Sequence, residues 1–171
     1  MKKFLGIVVI IIIFFIIYFL QSNFFTFFNI AGVKPNLFII LVLILGLFLG
    51  KGIGFTLGVV FGLLLDIYVG KTLGMYALSL GIIGCLSGYL DINFQKESRI
   101  NLIWMTILTT SIFELINNIG MNIFSTSFLK ILLLETLFNV LIVIIIYNSL
   151  LKFGEFISNM IKGEKTLFKY Y

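Results

Sequence analysis

Long apolar segments separated by short polar or glycine-rich breaks run through the whole chain. The first extends from Phe4 to Leu20, behind Lys2 and Lys3. It is longer than the apolar core of a typical signal peptide, and no small-residue cleavage site follows it at Gln21 to Phe25. We therefore expect an uncleaved membrane anchor.

The apolar pattern predicts an all-α, polytopic membrane protein with six transmembrane helices. Pro35 stands just ahead of the second apolar run, a position that suits the first turn of a helix. A span takes roughly 20 residues, so the second and third predicted helices are short. We expect one integral membrane domain over 1–171, with helices at about 4–20, 37–49, 53–68, 73–90, 100–120 and 131–151.

Lys51 raises an alternative in which 37–68 forms one long helix. A turn at 50–52 gives six helices with both termini inside, and cytoplasmic segments of membrane proteins carry an excess of Lys and Arg. The inside then holds Lys2, Lys3, Lys51, Lys96, Arg99, Lys152, Lys162, Lys165 and Lys169, and the outside holds Lys34, Lys71 and Lys130. Without the turn this bias reverses, so an N-in/C-in arrangement in the inner membrane is predicted.

The C-terminal segment, 152–171, alternates apolar and basic residues and is predicted to be a cytoplasmic tail. It forms either a short amphipathic helix on the anionic inner leaflet or a frayed, solvated end. The pattern does not separate these two interpretations.

Composition narrows the function classes. Of the 171 residues 61% are hydrophobic and 11% are charged, and there is no histidine and only one cysteine, Cys85. Histidine-based catalysis, histidine metal sites and intramolecular disulfides are thereby excluded. The 12 basic residues are scattered between apolar segments, so no nucleic-acid binding is expected. We expect no enzyme activity, no catalytic residue, no metal and no cofactor.

Glycine recurs every fourth residue from Gly46 to Gly62 and is followed by Asp66. Such a stripe lets another helix approach closely in lipid. The neighbour is either a partner protein or this chain, where Gly81, Gly84 and Gly88 form the obvious matching face. The candidate packing or partner-binding residues are Gly54, Gly58, Gly62, Asp66, Gly70 and Gly74.

Three acidic residues fall within apolar segments, where an ionisable group is unfavourable unless sheltered or paired. The six-helix topology puts Asp66, Glu114 and Glu135 in the outer half of the bilayer. They form either a polar seam for a partner or ligand, or internal contacts with headgroups or lysines. Glu135 is expected in the first turn of its helix, where it would complement the dipole, whereas Asp66 at a helix C-terminus needs a partner. The candidate seam comprises Glu114, Asn117, Asn118, Glu135 and Asn139.

Several stretches together resemble the MreD family of rod-shape membrane proteins over nearly the whole chain. Gln21-Ser22 closes the first helix, and Val33-Lys34-Pro35-Asn36-Leu37 opens the second. The most specific stretch runs Gly58-x-x-x-Gly62-Leu63-Leu64-x-Asp66-x-x-x-Gly70-x-x-Leu73-Gly74-x-x-Ala77-Leu78. Asn139 in the last helix also fits.

The resemblance implies a non-catalytic scaffold of the bacterial elongasome. MreD-like proteins partner MreC, which has one membrane helix, and link MreB filaments to the peptidoglycan synthases RodA and a class B penicillin-binding protein. Membrane lipid is the other expected partner. The family is also similar in size and helix count to the substrate-binding subunits of energy-coupling-factor transporters, so a vitamin-type carrier is the alternative.

Overall fold

A computed structural model of the chain describes residues 2–24, 32–69, 74–90, 98–118 and 125–163. These ranges are all-helical and contain no β-sheet. The helices are α1 (Lys2–Phe19, continued by a π-helical turn at Leu20–Phe24), α2 (Leu37–Leu49), α3 (Lys51–Val69), α4 (Met75–Leu90), α5 (Arg99–Asn117) and α6 (Thr126–Ile161). Predictions that involve Gly70, Lys71, Lys96, Lys165 and Lys169 fall outside the described residues.

Four of the described helices are long and apolar enough to cross a membrane. They are α1, α3, α5 and α6. The other two, α2 and α4, are apolar but shorter, with 13 and 16 residues.

The short helix α2 forms the centre of the bundle. Twelve of its 13 residues are buried, and it packs against every other helix. A helix that is apolar on all sides must be covered on all sides by protein or lipid, and here protein covers it.

The helix is interrupted between α2 and α3, as predicted. Gly50 has a φ of +88°, and its N–H donates to the Gly46 carbonyl oxygen at 2.9 Å. Only glycine adopts this left-handed conformation at little cost, so it ends α2 and lets α3 begin at Lys51. The single long helix over 37–68 is thereby excluded.

The glycine stripe of α3 packs against α4 of the same chain. A Cβ atom built on Gly54 would lie 2.5 Å from the Gly84 carbonyl oxygen, and one on Gly58 or Gly62 would collide with the α4 backbone. The two helices thus touch backbone to backbone, the close approach that small residues permit. The interpretation of this face as a docking surface for a partner helix is not supported, because α4 already occupies it.

Helix α6 is longer than the predicted 131–151. It has 36 residues, about 54 Å at the usual rise per residue. Beyond Lys152 it continues to Ile161, with Ile157 fully buried and the Ser158 hydroxyl donating to the Phe48 carbonyl oxygen at 3.3 Å. A frayed, solvated end is therefore wrong for 152–161, and a separate surface helix is wrong as well, because these residues continue α6 and one face of them packs against the bundle. Residues 164–171 lie outside the described part.

Candidate functional site

Polar residues collect at the end of the bundle opposite Lys2 and Gly163, the first and last described residues. Here α1, α3 and α5 end, and α2, α4 and α6 begin. Between these helix ends is a cavity of about 300 Å³. Its lining is Gln21, Lys34, Asn36, Phe38, Leu65, Tyr76, Phe113, Glu114, Asn117, Asn118, Ile131 and Glu135.

Asp66 caps the N-terminus of α4. Its buried carboxylate accepts hydrogen bonds from the backbone N–H groups of Gly74 and Tyr76, both at 3.0 Å, and of Ala77 at 3.1 Å. These first-turn amides have no partner within their own helix, and the helix dipole favours negative charge beside them. The partner expected for Asp66 is therefore the start of the next helix.

Gly74 completes that cap through its backbone. It has a φ of +97°, and none of the described residues beyond its neighbours lies within 4 Å of where a Cβ atom would stand. The left-handed conformation turns its N–H towards Asp66 and leads directly into α4. Gly74 is thus a turn residue, and the neighbouring candidate Gly70 is outside the described ranges.

Of the two asparagines that follow Glu114, one binds its carboxyl group and the other binds a different helix. The Asn118 side-chain amide donates to Glu114 Oε2 at 2.7 Å and to the Glu114 carbonyl oxygen at 3.0 Å. The Asn117 amide instead donates to Ser79 Oγ at 3.0 Å and to the Phe113 carbonyl oxygen at 2.9 Å. Asn118 therefore orients the carboxyl group, whereas Asn117 ties α5 to α4.

Asn139 joins three helices and does not line the cavity. Its Oδ1 accepts from the Asn36 backbone N–H at 2.8 Å, and its Nδ2 donates to Thr110 Oγ1 at 3.1 Å. These bonds connect α6 with the start of α2 and with α5. Of the candidate seam residues, Asn139 therefore has a structural role that joins helices.

Glu135 is deeper in its helix than the sequence predicted. Ser125 is the N-cap of α6, with its hydroxyl accepting from the Phe128 N–H at 3.1 Å, so Glu135 lies in the third turn. The expectation of a first-turn acid that complements the dipole is wrong. Its side chain is only 7% exposed, and within the described ranges no group forms a hydrogen bond to Oε1.

Gln21 closes one side of the cavity, a role that the sequence did not indicate. Its Nε2 donates to the Pro35 carbonyl oxygen at 2.6 Å, and its Oε1 accepts from the Leu37 N–H at 3.2 Å. Lys34 donates to the Gln21 carbonyl oxygen at 3.5 Å. The end of α1 is thereby fastened to the start of α2.

Tyr76 and Asn36 were also missed as site residues. Asn36 is the N-cap of α2, with its Oδ1 accepting from the Phe38 N–H at 3.2 Å. An asparagine directly before an apolar run is a recognisable capping signal, whereas nothing in the sequence places Tyr76 beside Glu114. Among the described residues, no group of three or more His, Cys, Asp or Glu side chains could hold a metal ion.

Comparison with known proteins identifies the family of this chain. The model of the rod shape-determining protein MreD matches residues 2–153. No curated protein matches the chain, and no solved structure does. The matched range covers most of the chain and includes every described residue of the polar end. The chain therefore belongs to the MreD family of rod shape-determining proteins.

Proposed function

We propose that the chain is a non-catalytic scaffold of the elongasome with six membrane spans and both termini in the cytoplasm. The family match over residues 2–153 carries this proposal. It makes the chain a rod-shape-determining membrane protein, a structural family and not a known enzyme family. Several described helices able to cross a membrane agree with that assignment.

The charge distribution supports the proposed orientation. Lys2, Lys51 and Arg99 stand at the starts of α1, α3 and α5, and Lys162 follows α6, all at the end of the bundle that holds the termini. At the opposite end the described basic residues are Lys34 and Lys130. Basic residues favour the cytoplasmic side, so the polar cavity would face outward.

We propose an MreC-like single-span protein as the direct partner. Through it the chain would help to couple MreB filaments to RodA and a class B penicillin-binding protein. The architecture suits such a role, because almost all described mass is in helices and large apolar side chains of α1 and α6 remain exposed along their outer faces. Since α4 covers the glycine stripe, the partner helix would bind elsewhere.

Affinity purification from native membranes in mild detergent, followed by mass spectrometry, tests this function. We expect recovery of an MreC-like protein together with elongation synthases. The control is an unrelated tagged polytopic protein from the same membranes. Recovery of the folded chain without any single-span or synthase partner, at every detergent tried, would contradict the scaffold.

The transporter alternative is favoured by one observation, the polar cavity of about 300 Å³. A substrate-binding subunit would co-purify with an ATPase module and a vitamin-sized molecule, and Glu114→Ala would lose that molecule. The same purification distinguishes the two functions, because the scaffold requires no ATPase module.

A further inference from the structure

The Glu135 carboxyl group is buried without a partner for one of its oxygens. The side chain is 7% exposed, Oε1 has no hydrogen bond within the described part of the chain, and the residue lines the cavity. A buried carboxyl oxygen without a donor is strongly unfavourable. Something that donates to Oε1 would remove this penalty.

Several amide groups around the cavity donate elsewhere, whereas the Asn36 side-chain amide is within hydrogen-bonding reach of the Glu135 carboxyl group, whose Oε1 still has no donor among the described residues. The amide groups of Asn117 and Asn118 donate to Ser79, Phe113 and Glu114, and the Gln21 amide donates to Pro35. The carboxyl groups of Glu114 and Glu135 are left facing the same space. The cavity therefore presents the hydrogen-bond acceptors of two carboxyl groups, and a ligand with hydrogen-bond donors would complement them.

Charge and aromatic lining narrow the class of occupant. Two carboxyl groups face one ammonium group, that of Lys34, whose side chain is exposed and whose Nζ lies 3.5 Å from the Gln21 carbonyl oxygen. The rings of Tyr76 and Phe113 also line the cavity, with centroids 5.6 Å apart, and aromatic faces attract cations. A metal ion is a poorer fit, since only two acidic side chains are available.

We propose that this cavity binds a cation that donates N–H hydrogen bonds, a primary ammonium or a guanidinium group, to Glu135 and Glu114. The group comes either from a small organic cation or from a basic side chain of another membrane protein. This site is independent of the partner proposed above, so either proposal can fail alone.

Thermal unfolding of the purified chain in detergent provides the test. Millimolar methylguanidinium or methylammonium should raise Tm saturably by about 3 °C, the size expected for a ligand well above its Kd. Tetramethylammonium, which has the same charge but no N–H, should give less than a third of that shift. Equal shifts from all three salts would overturn the proposal, as would a response to Mg²⁺ alone.

The near-isosteric variant Glu135→Gln tests whether the rise in Tm comes from cation binding at Glu135. It should unfold at the same or a higher temperature than the parent without ligand, because a neutral amide replaces a carboxyl group buried beside Glu114, and it should lose most of the cation shift. Glu155→Gln is the control, since it changes a carboxyl group on the same helix about 30 Å away. An undiminished shift in Glu135→Gln would refute the site. If that variant does not fold, competition between methylguanidinium and tetramethylammonium on the parent chain still decides.

Two further measurements separate the sources of the cation. Native mass spectrometry of the chain extracted from its own membranes would reveal a bound small cation as added mass. A photo-reactive amino acid in place of Ile131, at the cavity wall, would capture a partner protein instead. If native mass spectrometry finds no added mass and the photo-reactive residue captures no protein, the site is empty in the membrane and the proposal is overturned.

Discussion

Two buried carboxyl groups at the same end of the bundle have opposite surroundings. Asp66 is 1% exposed and accepts from three backbone N–H groups, whereas Glu135 is 7% exposed and has an oxygen without a partner. Burial is thus similar, but both oxygens of Asp66 are compensated for the loss of water, whereas among the described residues Oε1 of Glu135 is not. This contrast separates a structural acid from one available to a ligand.

Replacement of Asp66 by Ala should destabilise the chain by about 2–4 kcal/mol, because three N–H groups at the start of α4 lose their acceptor. Unfolding in mixed detergent and denaturant, followed by circular dichroism, measures the change. Asp66→Asn keeps one acceptor oxygen and should cost less than half as much. Equal stability of Asp66→Ala and the parent would contradict the capping role.

At the scale of helices, the glycine stripe defines the contact between α3 and α4. Its spacing of four residues was sufficient to predict one small-residue face and to nominate Gly81, Gly84 and Gly88 as the matching one. Gly84 indeed lies against Gly54, and Gly88 lies against the turn that begins α3. The choice between internal and external packing needed the tertiary arrangement, because both uses require the same residues.

Substitution of Gly58 and Gly52 by Ala should have opposite effects. Gly58 lies against the α4 backbone at Leu80, so one added methyl group should destabilise the chain by about 1–3 kcal/mol. At Gly52 a Cβ atom meets nothing within 4 Å, and the better helix propensity of Ala should stabilise by up to about 1 kcal/mol. The same unfolding assay compares the free energies of unfolding of the two variants. Equal values would contradict close packing at Gly58.

The last turns of α6 pack in the bundle, although the sequence there predicted a basic cytoplasmic tail. Ile157→Ala should destabilise by about 2–4 kcal/mol, since Ile157 is fully buried in the apolar core with α1 and α2 residues. Phe156→Ala is the matched control, because Phe156 is half exposed and should change stability by less than about 1 kcal/mol. Comparable losses for both variants would argue against a packed C-terminal extension.

At the scale of the whole molecule, the two ends of the bundle differ in chemistry. One end holds Lys2, Gly163 and most of the described basic residues, and the other holds the cavity and its carboxyl groups. This asymmetry connects the fold with both proposals. A scaffold needs a fixed orientation, and an outward cavity would be reached by groups from outside the cell.

Thiol labelling in intact cells tests that orientation. In a Cys85→Ser background, Lys34→Cys should react with a membrane-impermeant maleimide from outside, whereas Lys51→Cys should react only after the membrane is opened. Trypsin should also reach the C-terminal segment in sealed inverted vesicles. Labelling of Lys51→Cys in intact cells, or a C-terminal segment protected from trypsin, would contradict the proposed N-in/C-in topology.

The sequence determined the helices and the family, because apolar runs, a glycine turn at Gly50 and short motifs are local properties of the chain. It also indicated that acids and amides from α3, α5 and α6 belong to one end, since alternating helices bring those positions together. The tertiary structure decided which polar groups are paired. Asp66 meets α4, Asn139 meets α2, and Glu135 lines the cavity with an Oε1 that has no donor among the described residues. Pairing depends on distances between helices that are far apart in sequence, and no local pattern contains them.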